Sequence, residues 1–118
     1  MDDPVPATLR AFLLEHIDSV AQLEALLLLR RAGKPLPVGA VAAALYVPEP
    51  VASAELATLQ ARGLIEAGPE GWRFLASPMV DLLAETYAKA LIPVTNIVHG
   101  NPLRLRRFAD AFKFRKDN

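Results

Sequence analysis

The sequence predicts a mainly helical domain of the α+β class with one small β-hairpin, and three observations carry that expectation. Apolar residues recur at three- and four-residue spacing over most of the chain. One short segment, 64–74, replaces that rhythm with two β-prone runs around Gly68-Pro69-Glu70-Gly71. Each helical stretch is also bounded by Pro, Gly or Ser at positions where those residues start or stop helices. With 118 residues, 53% of them hydrophobic and 22% charged, the chain is read as one domain, 1–118, with a real core and unlike a disordered polypeptide.

Leu9, Phe12, Leu13 and Ile17 form one stripe downstream of Pro4 and Pro6, so an opening helix is expected over about 6–16. Ser19 with Gln22 three residues on is a capping-box start for a second helix, through Leu23, Leu26 and Leu27 to Arg30 and Arg31. Gly33 is its left-handed stop, and cations in its last turn suit the dipole. After Lys34-Pro35-Leu36-Pro37, a short helix carries Val38, Val41, Ala42 and Leu45 until Val47-Pro48-Glu49-Pro50 breaks it. The next helix, about 51–62, buries Ala52, Leu56 and Leu59 and ends at Gly63. Leu64-Ile65-Glu66-Ala67 and Trp72-Arg73-Phe74 read as the strands of the hairpin. Ser77-Pro78 caps a further helix whose apolar face is Val80, Leu83, Ala84, Tyr87 and Leu91, and Pro93 should kink or end it. Gly100-Asn101-Pro102 is a turn, and Leu105, Phe108, Ala109 and Phe112 place a last amphipathic helix over about 103–115.

Composition narrows the function classes. Net charge is +0, so any attraction to nucleic acid or anionic lipid must be local. The absence of cysteine removes disulfides, thiolate metal sites and cysteine nucleophiles, and suits a cytoplasmic protein. Met1-Asp2-Asp3-Pro4 is acidic where a secretory signal needs a basic start, so export is not expected. The longest charge-free stretches, 35–48 and 90–103, are short and broken by proline, so no transmembrane segment is expected. The two histidines, His16 and His99, sit far apart without metal-ligand spacing to carboxylates. Gly68-Pro69-Glu70-Gly71 lacks the strand-to-helix context and lysine of a phosphate loop. Trp72 reads as a residue closing the edge of the core, not a ligand platform. We therefore expect no enzyme, no cofactor and no catalytic or metal residues.

The order helix, helix, helix, hairpin, helix resembles the winged helix-turn-helix domains of bacterial transcription regulators. Residues 37–47 are similar to the first helix of that motif. Residues 51–66, with their Leu56-x-x-Leu59-x-x-x-Gly63-Leu64-Ile65 pattern, are similar to its recognition helix and first wing strand. The resemblance covers 19–75 as a core, with a helical extension over 78–118 of the kind that dimerises such regulators. It implies a DNA-binding transcriptional regulator.

The surface residues leave two readings open. With Ala52, Leu56 and Leu59 inward, the outward face of the helix holds Pro50, Ser53, Ala54, Ala57 and Ala61. Base readout needs Arg, Lys, Asn or Gln, and only Ser53, Thr58 and Gln60 stand near usable positions. Residues 1–76 carry six basic side chains against nine acidic ones, leaving Lys34, Arg62 and Arg73 for phosphate contacts. The alternative is a non-DNA-binding adaptor that docks a protein on the alanine-rich face or on the basic last helix. Residues 100–118 hold Arg104, Arg106, Arg107, Lys113, Arg115 and Lys116 against Asp110 and Asp117. The stripes Leu83, Tyr87, Leu91 and Leu105, Phe108, Phe112 predict a homodimer.

Overall fold

The computed structural model describes residues 3–104 and runs α1 (Ala7–His16), α2 (Val20–Ala32), α3 (Val38–Leu45), α4 (Glu49–Ala61), β1 (Ile65–Gly68), β2 (Gly71–Phe74), α5 (Pro78–Lys89) and α6 (Leu91–His99). The architecture is mainly α with one antiparallel hairpin. The expected last helix, with Leu105, Phe108 and Phe112, lies outside the described residues.

α2 is the centre of the packing and touches α3, α4, α6 and β2. Its Leu23, Leu26 and Leu29 are fully buried in one cluster with Leu9, Leu13 and Ile17 of the first segment, Leu56 and Leu59 of α4, and Val94 and Val98 of α6. Each such leucine contributes about 1.5–3 kcal/mol relative to an exposed one.

The helix ends follow local chemistry. Ser19 Oγ accepts the Gln22 N–H at 3.1 Å, whereas the Gln22 side chain accepts from the N–H of Asp18 at 3.0 Å, one residue beyond a strict capping box. Gly33 has φ 66 and closes α2 as expected. α4 starts at Glu49 behind Pro48, with Pro50 in the first turn, where a missing N–H costs nothing. Ser77 caps α5 through Val80 N–H at 3.3 Å.

Two features depart from the expected pattern. The helix over Leu83, Tyr87 and Leu91 is not continuous. It breaks at Ala90 (φ −138, ψ 56), and Pro93 lies inside the first turn of a separate helix, α6, so Leu91 belongs to α6. Proline is acceptable there because the first N–H to bond in α6 is that of Val94, to Ala90 O at 3.2 Å. The hairpin also gains a neighbour. In register Ile65↔Phe74 to Gly68↔Gly71, β2 exchanges two 2.8 Å hydrogen bonds between Trp72 and Leu36, so the 33–37 loop runs along its free edge. Gly71 permits this approach: it has φ 128, and a Cβ there would lie 2.4 Å from the Leu36 carbonyl.

Candidate functional site

α3, the turn that follows it and α4 present one continuous surface. α3 ends when Tyr46 takes φ 58, with Tyr46 N–H bonded to Ala43 O at 3.3 Å and Val47 N–H to Ala42 O at 3.1 Å. Tyr46 is left 94% exposed, three residues before α4 begins. Along α4 the outward residues Pro50, Ser53, Ala54, Ala57 and Ala61 are all exposed. Thr58 is half-buried, and its hydroxyl donates to Ala54 O at 3.1 Å, which uses up its proton. Among the described residues no cationic side chain of α3, the turn or α4 belongs to this face; its charged member is Glu49.

Arg62, expected as a phosphate contact, points the other way. Its guanidinium donates to His16 O, to Gln22 Oε1 at 3.0 Å and to the Asp18 carboxylate at 3.3 Å, and its side chain is only 18% exposed. Asp18 is buried and also receives Gln22 Nε2 at 2.6 Å. Beside this group the Ser19 hydroxyl donates to Glu55, a buried carboxylate on the inner side of α4. The cluster clamps α4 onto the α1–α2 junction. Among the described residues no buried side-chain polar atom lacks a hydrogen-bond partner.

The remaining contact candidates lie near the hairpin. Arg73 is exposed on β2 and paired with its cross-strand neighbour Glu66. Lys34 is exposed on the 33–37 loop. The candidates thus fall into three places: the α4 face, the inward clamp and the hairpin side.

The dimer candidates divide as well. Leu83 is fully buried in the core and is not available to a second subunit. Tyr87 is half-buried and donates to Glu24 Oε1 at 2.7 Å; burial, then the Glu24 carboxylate, push its phenol up to about 12. Leu91 is 51% exposed and is joined by Ile92 at 64%.

Nothing in the sequence marks Tyr46 as a left-handed position, since Gly or Asn is the usual signal. Asn101 reads only as a turn residue. In the structure it is buried, donates to Leu13 O at 3.0 Å and Ile17 O at 2.7 Å, and accepts from Leu103 N–H at 2.9 Å. It ends α1 and starts the helical turn at 102–104 together.

Among the described residues no group of three or more His, Asp or Glu is placed to hold a metal ion, and no helix is long and apolar enough to cross a membrane. Compared with known proteins, the chain matches no family model, no curated protein and no solved structure.

Proposed function

We propose that the chain is a cytoplasmic winged-helix domain, non-enzymatic, that works as an adaptor by docking a protein partner on the outward face of α4. Three successive helices, a tight turn between α3 and α4, and a hairpin whose edge is extended by Leu36 support the winged-helix part of this reading. The observation that carries the adaptor part is the α4 face itself. Pro50, Ser53, Ala54, Ala57 and Ala61 are exposed without a cation among them, while Arg62 is committed to Asp18. Small side chains let a second backbone approach closely and leave few polar groups to desolvate. Tyr46 supplies an aromatic anchor at the end of the same face. Self-association through Leu91, Ile92 and the sequence stripe Leu105, Phe108 and Phe112 belongs to the same proposal.

A DNA-binding regulator is the second reading, favoured by Lys34 and Arg73 standing exposed beside the hairpin. Duplex binding titrated from low to physiological salt separates the two. The adaptor reading expects no binding even at low salt, together with capture of a partner that is lost in Ala57→Arg. Tight, steeply salt-dependent duplex binding that weakens in Arg73→Ala would establish the regulator and overturn the adaptor.

A further inference from the structure

At the end of α2 lies a cleft of about 210 Å³, with Pro35 and Phe74 as its apolar floor over the buried Leu29, and lined as well by Arg30, Lys34 and Arg73. It shares no residue with the α4 face. Its three cations come from three segments: the last turn of α2, the 33–37 loop and β2. The loop carrying Lys34 is held at both ends, by the left-handed Gly33 whose N–H bonds Leu29 O at 3.3 Å, and by the paired hydrogen bonds between Leu36 and Trp72. The position of Lys34 is therefore built into the fold.

Donors remain available on this rim. Among the described residues Arg30 uses only Nε, toward Asp81 at 2.9 Å, which leaves both terminal nitrogens. Arg73 meets Glu66 through Nε and one terminal nitrogen, which leaves the other without a partner among the described residues. Lys34 has no carboxylate partner among the described residues. Three cations face two carboxylates in exposed pairs, and such pairs are worth only about 0–1 kcal/mol, so an incoming dianion competes readily. An apolar floor under a cationic rim suits a ligand with one anionic end and one apolar end.

We propose that this cleft binds a small phosphomonoester, its phosphate on Arg30, Lys34 and Arg73 and its organic group on Pro35 and Phe74. The full chain is titrated at low salt with phenyl phosphate, with inorganic phosphate and with a short DNA duplex, following backbone amide shifts by NMR. Phenyl phosphate is expected to give saturable shifts centred on Gly33, Lys34, Arg73 and Phe74 and to bind more tightly than inorganic phosphate. Lys34→Ala, an exposed substitution, should weaken it about tenfold, as loss of one charge-assisted hydrogen bond, and Lys34→Arg should restore most of it. Shifts that never saturate, equal affinity for inorganic phosphate, or unchanged binding in Lys34→Ala each overturn the proposal. Tighter binding of the duplex through the same residues also overturns it, in favour of a nucleic-acid backbone site. Ala57→Arg should leave this titration unchanged, so failure here is distinguishable from failure of the docking reading.

Discussion

Tyr46 and Gly71 show opposite uses of the left half of backbone space. Tyr46 holds φ 58 with its side chain 94% exposed, so it accepts conformational strain for which burial returns nothing. Tyr46→Gly should therefore stabilise the fold by about 0.5–1 kcal/mol, after the greater unfolded-state freedom of glycine is subtracted, and raise Tm by a few degrees. An unchanged or lower Tm would mean that the ring supports the turn in spite of its exposure. At Gly71 both strain and space forbid a side chain, because φ is 128 and the new Cβ would overlap the Leu36 carbonyl. At Gly33 only strain applies, since a Cβ meets nothing within 4 Å. Thermal denaturation should then find Gly33→Ala costing about 1 kcal/mol and Gly71→Ala about 3 kcal/mol, with backbone overlap making the difference.

Among the elements, α4 is held by polar as well as apolar contacts. Arg62→Met keeps much of the side-chain bulk but takes the cation from the buried Asp18 and the donor from His16 O. Removing one partner of a largely buried pair should cost about 2–3 kcal/mol in urea unfolding. If stability were unchanged, the clamp would carry no weight and Arg62 would again be free for an external anion. α5 is tied to α2 by the Tyr87–Glu24 hydrogen bond, with a pH signature. The phenol rises from its ordinary value of 10 to about 12 on folding, so its contribution is complete below pH 10 and is lost as pH rises toward 12. Denaturant unfolding followed between these limits should show that loss in the wild type and a smaller one in Tyr87→Phe.

For the whole molecule, the proposed self-association is tested through its charge and its exposed apolar surface. Residues 1–99 are net acidic and residues 100–118 net basic, while Leu91 and Ile92 stand exposed on α6. Sedimentation equilibrium should find a dimer that weakens with added salt and becomes monomeric in the double variant Leu91→Ser, Ile92→Ser. A monomer at micromolar concentration in the wild type would sink this expectation without touching the docking face.

Sequence alone determined the helix starts and stops at Ser19, Gly33, Gly63 and Ser77-Pro78, the hairpin, and the outward set on α4. Each depends on chemistry within about one helical turn, where spacing and propensity act directly. Pro93 was ambiguous at that range, because a proline that ends one helix and a proline in the first turn of the next have the same local sequence. Only the tertiary structure decided where Arg62 points, that Glu55 and Asp18 are buried, that Leu36 pairs with Trp72, and that Asn101 closes α1. Arg62 meets Asp18 across 44 residues and Asn101 meets Leu13 across 88. Such partners are chosen by how the packed helices bring distant segments together, and a buried polar group must then take whichever partner the packing supplies.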